Sequence, residues 1–244
     1  MGQALVAALS ADSSFQYVGG FGRADVAGSG RITRSAALGS ADVILDFTSA
    51  SAATELAVSC AERGGPALVI GATGFSPSEL DQLHHAAARI PIVRAGNFSI
   101  GVNLLMGLVA AAGSALPAAD WDIEIVEAHH RAKVDAPSGT ALMLGEAAAQ
   151  GRGVALDAVA RESRAGMTGE RPAGEIGFAV VRAGGIVGEH KVMFASGDEI
   201  LTLSHMALDR TMFARGALVA ARWVAGQRPG HYDMQDVLKP SQHP

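Results

Sequence analysis

Residues 42–47 read Asp-Val-Ile-Leu-Asp-Phe, a mainly apolar run of strand length. Two more short apolar runs follow at 67–70 and 90–93, and a segment of helical composition separates each run from the next. Short buried strands that alternate with helices indicate βαβ units, whose parallel sheet is covered by helices on both faces. The sequence therefore predicts an α/β fold for the first part of the chain.

Helices are predicted between these strands from their composition and their boundary residues. Gly64 supplies the left-handed backbone that often ends a helix, while Ser76 is suited to cap the next helix and Pro77 to occupy its first position. We expect helices at 3–10, 51–63, 76–89 and 100–115, and an additional strand at 17–21.

The carboxyl ends of the predicted strands consist of small and polar residues. They read Gly71-Ala72-Thr73-Gly74 and Ala95-Gly96-Asn97-Phe98, in addition to Gly22-Arg23 and Asp46-Phe47-Thr48. Ligands of open α/β sheets bind at this edge, so the four loops together favour a nucleotide site. Each loop taken by itself is also compatible with an ordinary tight turn between a strand and a helix.

The chain changes character after about residue 120. Residues 121–126 alternate apolar and polar side chains, which indicates a strand with one covered face. Few helices separate the strands predicted after it, so this part is expected to form a second domain on an open mixed or antiparallel sheet. We expect further strands at 175–181, 188–194 and 199–205, a long loop at 152–174 and an amphipathic helix at 211–224.

Composition excludes several classes of protein. The formal net charge of −5 argues against a nucleic-acid-binding protein, which normally carries a basic face. No apolar run approaches the roughly 20 residues that span a bilayer, and the first residues lack the basic region of a secretory signal. Cys60 is the single cysteine, so it forms no internal disulfide and is expected to be a buried thiol. The sequence predicts a cytoplasmic protein.

The chemistry is concentrated in residues 127–140, Glu-Ala-His-His-Arg-Ala-Lys-Val-Asp-Ala-Pro-Ser-Gly-Thr, which precede a predicted helix at 141–150. The first N–H groups of a helix and its dipole attract an anion, and Ser138 and Thr140 add hydroxyl donors. Lys133 supplies countercharge, and the tandem histidines are able to transfer a proton. This segment therefore predicts a carboxylate-binding site.

Other interpretations of these residues remain open at this point. Tandem histidines are often ordinary polar loop residues, and Ser-Gly-Thr is a common way to begin a helix. A metal site is not expected, because His129 and His130 would point to opposite sides of a strand and no third ligand follows at a suitable spacing. The sequence contains neither a Gly-x-Ser-x-Gly elbow nor a P-loop lysine motif.

Residues 127–141 match without a break the signature Glu-[Ala/Leu]-His-His-x-x-Lys-x-Asp-Ala-Pro-Ser-Gly-Thr-Ala, and the chain thereby resembles the dihydrodipicolinate (4-hydroxy-tetrahydrodipicolinate) reductase family. The resemblance covers essentially the whole chain. Further family motifs occur in the same order at 43–48, 69–75, 97–103, 168–171, 182–190 and 233–238.

The resemblance implies a Rossmann-like dinucleotide-binding domain at 1–100, which 210–244 completes, and a second α+β domain at 101–209 for substrate binding and oligomerisation. Family members are mostly homotetramers. Their reaction transfers hydride from NADPH or NADH to the cyclic dihydrodipicolinate precursor and gives tetrahydrodipicolinate, a step of lysine and diaminopimelate synthesis. The implied substrate is thus a small cyclic dicarboxylate.

The family's functional residues map onto matching positions of this chain. His129 and Lys133 would form the proton-transfer pair, and His130 would contact the substrate. Ser138, Gly139 and Thr140 would hold a substrate carboxylate. The residues implied to contact the cofactor are Met1, Gly2, Gly71, Ala72, Thr73, Ala95, Gly96, Asn97 and Phe98.

The sequence departs from the family pattern at its start. Family members begin with a strand and Gly-x-x-Gly-Arg-Met-Gly, of which only Met1 and Gly2 are present, so the first strand is expected to be missing and cofactor binding to be poor. One alternative is a protein that binds the dicarboxylate without cofactor. Another is a different two-domain dehydrogenase that acts on an amino acid or its semialdehyde.

The residues after 17–21 bear on the choice of cofactor. An acidic residue at this place commonly binds the ribose hydroxyls of NAD, yet no acid occurs here before Asp25. Arg23 is placed to meet a 2′-phosphate instead, which predicts a preference for NADPH over NADH. The alternative is that Arg23 is a solvated loop residue.

Overall fold

The computed structural model describes residues 1–22, 28 and 30–239, which form two compact units. Unit 1 comprises Met1–Ile100 together with the chain from Thr211 onward, and unit 2 comprises Gly101–Arg210. The helices of the described chain are α1 (Gly2–Ala11), α2 (Arg34–Ser40), α3 (Ala50–Arg63), α4 (Pro77–Ala87), α5 (Ile100–Ala115), α6 (Gly139–Gly151), α7 (Leu156–Val159), α8 (Thr211–Val224) and α9 (Met234–Leu238). The strands are β1 (Val43–Asp46), β2 (Ala67–Ile70), β3 (Pro91–Arg94), β4 (Asp122–His129), β5 (Ala160–Arg161), β6 (Ile176–Arg182), β7 (Gly188–Ala195), β8 (Ile200–Ala207) and β9 (Gly230–Tyr232).

Unit 1 is built on a parallel sheet with the strand order β1-β2-β3-β9. Leu68 and Ile70 of β2 pack against α3 and α4, whereas Val69 packs on the opposite side with α1 and α8. All three side chains are fully buried, because successive residues of a strand point to opposite faces and each face is covered by helices. The predicted Rossmann-like arrangement is confirmed.

The helix boundaries follow from local chemistry. Ser76 accepts a hydrogen bond from the backbone N–H of Glu79, whose carboxylate in turn accepts from the N–H of Ser76, while Pro77 begins α4. Gly64 ends α3 in a left-handed conformation with a φ of 75°. The predictions for these positions are confirmed.

The strand expected at 17–21 was a wrong prediction. Only one isolated bridge forms there, between Gly20 and Arg31, and Gly19 has a φ of 139°, which is outside the extended region that a strand requires. Arg23 and Asp25, on which the predicted preference for NADPH depends, lie outside the described residues. The sequence also gave no indication of β9, which extends the sheet by pairing with β3.

Unit 2 contains a five-stranded mixed sheet with the order β5-β6-β4-β7-β8. The central strand β4 runs parallel to β6 and antiparallel to β7, which confirms a mixed sheet. Ile123 and Ile125 of β4 are fully buried in a core that includes Leu144 of α6 and Val109 of α5. The sheet thus has one face covered by helices, as the alternation at 121–126 predicts.

The segment 152–174, expected to be a long loop, contains α7 and β5 and is fixed to the sheet by ion pairs. Arg171 pairs with Asp122 and Glu124 at 2.6 and 3.0 Å, and Arg164 pairs with Glu124 at 2.8 Å. Within the part of the chain that the structure describes, no helix is long and apolar enough to cross a membrane.

Candidate active site

Strand β4 determines where the central side chains of the candidate site lie. Its alternation places Glu127 and His129 on the same face of the sheet as Ile125, which is the face that α6 covers. The loop that follows β4 leads directly into α6. The end of β4, the loop and the start of α6 are therefore consecutive in unit 2, and they carry the candidate residues.

The carboxylate of Glu127 is the centre of a hydrogen-bond network and only 1% of the residue is exposed. Arg182 donates to both of its oxygens at 2.7 Å, in the bidentate geometry that suits a guanidinium and a carboxylate. His129 Nδ1 lies 2.6 Å from Oε2, and the backbone N–H of Ser138 donates to Oε1 at 3.0 Å. One side chain thus connects β4, β6 and the start of α6.

The network fixes the charge of Glu127. Burial by itself would raise the pKa of this carboxyl group, but the hydrogen bonds from Arg182, His129 and Ser138 outweigh burial and lower the pKa below its ordinary value. The same contact with Glu127 raises the pKa of Arg182. Both side chains are therefore ionised at neutral pH.

The contact with Glu127 also determines the tautomer of His129. Because the carboxylate can only accept, Nδ1 carries a proton and donates it, and Nε2 is left as the atom that gains or loses a proton. Gly188 lies beside this ring, and a Cβ added to Gly188 would come within 3.0 Å of His129 Nε2. A glycine at this position of β7 leaves room for a ligand atom or proton at Nε2.

His190 packs edge-on against His129, with ring centroids 5.1 Å apart, and is only 4% exposed. Burial, followed by the nearby His129, lowers the pKa of His190 to about 4. His190 is therefore neutral at physiological pH and adds no positive charge beside the ring of His129. Its Nε2 lies 3.0 Å from Ser138 Oγ, and Nδ1 is a buried atom without a hydrogen-bond partner among the described residues.

Helix α6 begins at Gly139, with Ser138 as its cap. The hydroxyl of Ser138 accepts from the N–H of Ala141 at 3.1 Å and also meets His190. Ser138 is buried and its hydroxyl already has two partners, so a ligand that contacts this oxygen would have to compete with Ala141 and His190. Gly139 and Thr140, the first two residues of the helix, are at least partly exposed.

The other basic residues of the segment have partners of their own. Lys133 Nζ contacts both carboxylate oxygens of Asp135, at 2.7 and 2.8 Å. His130 Nε2 lies 3.1 Å from Arg210 Nη2, a contact separate from the hydrogen bonds around Glu127. The two histidines therefore have different environments, as expected for successive residues at a strand end.

The residues proposed to hold a cofactor lie in unit 1. Gly71, Ala72 and Thr73 follow β2, where a side chain on Gly71 would overlap the ring of Phe47, so glycine lets the loop and this ring approach closely. Among the residues after β3, Gly96 is exposed, whereas Ala95, Asn97 and Phe98 are buried. The loops after β2 and β3 thus carry mainly small side chains, which leave their backbone groups accessible to an aromatic ring of a ligand.

Met1 and Gly2 lie at the start of α1. Met1 is the cap residue and makes no side-chain cap hydrogen bond, and a Cβ on Gly2 would meet no atom within 4 Å in the described chain. The first N–H groups of this helix have no side-chain cap and are a candidate contact for an anion such as a phosphate. Among the described residues no group of side chains is arranged to hold a metal ion.

Sequence reasoning did not assign a role to Glu127, Arg182, Gly188 or His190, although the structure places them around His129. The available signal was the motif at 182–190, whose first and last residues are the arginine and the histidine of this network. A sequence motif alone does not show which atoms those residues contact.

Comparison with known proteins identifies related families for both parts of the chain. A family model described as dihydrodipicolinate reductase, N-terminus, matches residues 1–98, and one described as dihydrodipicolinate reductase, C-terminus, matches residues 101–238. The chain is 58% identical over 238 residues to the 4-hydroxy-tetrahydrodipicolinate reductase of Caulobacter vibrioides, which covers 98% of this chain and 93% of that protein. It is 56% identical over 202 residues to the enzyme of the same name from Dinoroseobacter shibae, covering 83% of this chain and 74% of that protein.

Two solved structures are similar in fold. Dipicolinate-bound dihydrodipicolinate reductase from Paenisporosarcina sp. TG-14 superposes with a TM-score of 0.78 at 24% identity, covering 97% of this chain and 95% of that one. The diaminopimelate (DAP) dehydrogenase of C. glutamicum superposes with a TM-score of 0.57 at 14% identity, covering 99% of this chain and 93% of that one. At these identities the likeness concerns the fold alone.

Replacing Glu127 by Gln should lower the stability of the chain and change its pH dependence. The exchange leaves Arg182 and His129 without their anion, and breaking a buried pair costs on the order of 3 kcal/mol. Because folding lowers the pKa of Glu127 below its ordinary value, its stabilisation is present above that ordinary pKa and is lost as the pH falls through the folded-state pKa. Urea unfolding between pH 3 and 7 should therefore give a shallower dependence in the variant.

Glu146→Gln is a suitable control for this experiment, because Glu146 is an exposed carboxylate on α6. Parallel curves of the free energy of unfolding against pH for Glu127→Gln and the wild type would contradict a stabilising role of the ionised Glu127.

Proposed function

The chain belongs to the dihydrodipicolinate reductase family, and on that premise we propose which residues carry out the family's reaction and with which cofactor. Its activity is that of an NAD(P)H-dependent reductase of lysine and diaminopimelate synthesis. The observation that carries the residue assignment is the contact of His129 Nδ1 with the buried, ionised Glu127, beside the start of α6.

His129 is the proposed proton donor. Glu127 keeps the Nδ1 proton in place in both protonation states of the ring, so exchange with the substrate takes place at Nε2. Proton transfer to the substrate after hydride addition then requires no other side chain to move. Lys133 is the proposed partner of His129, since its ammonium group supplies positive charge in the same segment.

The start of α6 is the proposed site for one substrate carboxylate. The N–H groups of Gly139 and Thr140 lie at the positive end of the helix dipole, and Lys133 provides the countercharge. Ser138 holds this helix start in place through its hydroxyl and through its N–H to Glu127. His130, together with Arg210, would offer a further polar contact to the substrate.

Unit 1 is the proposed cofactor-binding domain and unit 2 the proposed substrate domain. When bound, NAD(P)H supplies the hydride. The start of α1, at Met1 and Gly2, is the proposed contact for a phosphate, and the loop Gly71-Ala72-Thr73 is the proposed contact for the nicotinamide ring. The family model for the N-terminal part matches residues 1–98, so a dicarboxylate-binding protein without cofactor is not favoured.

The related structure from Paenisporosarcina is described as dipicolinate-bound, which supports pyridine-2,6-dicarboxylate (dipicolinate) as a probe for the substrate site of this chain. Its two carboxylates match the small cyclic dicarboxylate that the family resemblance implies as the substrate. Calorimetric titration with this compound tests the binding step separately from catalysis.

Replacing His129 by Gln should reduce kcat by about 10²- to 10⁴-fold, the usual contribution of a positioned acid, while dipicolinate affinity changes little. Lys133→Ala should damage both turnover and binding, because the lysine contributes charge as well as catalysis. Steady-state kinetics and calorimetry distinguish the two results. His85→Gln, on the surface of α4, is the control, and unchanged kcat in His129→Gln would remove this residue from the acid role.

We further propose that NADPH is preferred over NADH, through contact of Arg23 with the 2′-phosphate. The ratio of kcat/KM for the two cofactors should exceed one in the wild type, and Arg23→Ala should lower it by about tenfold, as expected for the loss of one charge-assisted contact. Arg89→Ala, at an exposed position between α4 and β3, is the control. Equal efficiency with both cofactors, unaffected by Arg23→Ala, would contradict the preference.

A homotetramer that pairs the open sheet faces of unit 2 is also proposed, in the cytoplasm. The face of the sheet opposite α6 carries exposed apolar side chains, including Val181, Ile200 and Met206. Met206→Glu should shift the sedimentation coefficient towards smaller species, whereas Met167→Glu, a fully exposed position of the segment 152–174, should not. A wild type that sediments as a monomer, or that is recovered outside the cytosolic fraction of cells, would oppose these proposals.

A further inference from the structure

The carboxylate of Asp135 occupies the surroundings in which a substrate carboxylate is proposed to bind. Both of its oxygens contact Lys133 Nζ, at 2.7 and 2.8 Å. The side chain of Asp135 is 54% exposed and that of Lys133 only 20% exposed. The lysine is thus the more fixed partner, and the aspartate covers it from the solvent side.

Asp135 also lies beside the start of α6. The hydrogen bond from Lys133 is the largest cause that lowers the pKa of Asp135, burial opposes this shift, and the nearby backbone N–H of Gly139 lowers the pKa further. Lys133 Nζ, a donor assigned to the substrate, is therefore already paired with a carboxylate of the chain itself.

The backbone around Asp135 is held independently of this carboxylate. Its carbonyl oxygen accepts from Arg182 Nη2 at 2.6 Å, and the N–H of Lys133 donates to the carbonyl of His130 at 3.1 Å. Rotation of the half-exposed side chain would free Lys133 Nζ without moving the loop. An exchange of one carboxylate for another is thus possible by a rotamer change alone.

We propose that Asp135 is a resident carboxylate that occupies the anion site until a carboxylate of the substrate replaces it. Binding then exchanges one anion for another at Lys133, beside the start of α6, so the free site never holds an unpaired lysine. Asp135 lowers the affinity for the substrate and, by returning, assists the release of the product. This inference rests on the proposed function, since it assumes that Lys133 and α6 bind the substrate carboxylate.

Replacing Asp135 should strengthen ligand binding, whereas replacing a residue that supports a binding site normally weakens it. Asp135→Asn keeps the shape of the side chain and the backbone contact with Arg182 but removes the competing charge. Dipicolinate should bind about fivefold more tightly, because an exposed ion pair contributes up to roughly 1 kcal/mol and this contribution no longer has to be lost on binding. A residue that only supports the loop would weaken binding when replaced.

The test is calorimetric titration of dipicolinate into the full chain, with the wild type, Asp135→Asn, Asp135→Ala and Lys133→Met side by side. Asp157→Asn, at an exposed position of α7, removes the same unit of charge away from β4 and is the control. Thermal unfolding of each variant shows whether it is folded, and Asp135→Ala provides a second reading if Asp135→Asn is impaired.

The outcomes separate the two proposals. Tighter binding in both Asp135 variants, with weaker binding in Lys133→Met and no change in Asp157→Asn, supports the resident carboxylate. Weaker binding in Lys133→Met without tighter binding in either Asp135 variant overturns the role of Asp135 alone. Unchanged binding in Lys133→Met means that the anion site is wrongly placed, and it overturns both proposals.

Discussion

The buried Glu127 carboxylate is the interaction on which the rest of the site depends. A buried charge is tolerated only when it is paired and hydrogen-bonded, and this one receives donors from Arg182, His129 and the N–H of Ser138. These donors belong to β6, the end of β4 and the cap of α6, so satisfying one carboxylate fixes three elements relative to one another. The position of the proton-transfer atom, His129 Nε2, follows from the same bonds.

Around the ion pair of Glu127 and Arg182, the neighbouring buried side chains add no further charge. His190 packs against His129, but its lowered pKa of about 4 keeps it neutral, and Ser138 is engaged by His190 and by the N–H of Ala141. Additional positive charge is supplied instead by Lys133, which lies in the loop and is partly exposed. The buried residues around Glu127 therefore fix the geometry of the site, and the partly exposed Lys133 supplies the positive charge that binds an anionic ligand.

The resident carboxylate of Asp135 is consistent with this division. An anion site that contains a lysine beside the start of a helix attracts any small anion, and an internal aspartate pairs with the lysine until a ligand replaces it. The competing term is modest because the ion pair is exposed, so a dicarboxylate with further contacts can displace it. If the ion pair between Lys133 and Asp135 were deeply buried, breaking it would cost more free energy, and a substrate carboxylate would not readily replace Asp135.

The sequence by itself determined the alternation of strands and helices in unit 1, the mixed sheet of unit 2 and the segment 127–141 in which the candidate chemistry lies, because these depend on local periodicity and on adjacent residues. It failed at 17–21, where two glycines interrupt an otherwise strand-like run, and it did not indicate β9. Only the tertiary structure brought Arg182 to Glu127 and His190 to Ser138, across 55 and 52 residues respectively. Such contacts depend on the register between strands, and the pattern of side chains within a single strand does not specify which residue of a distant strand lies opposite.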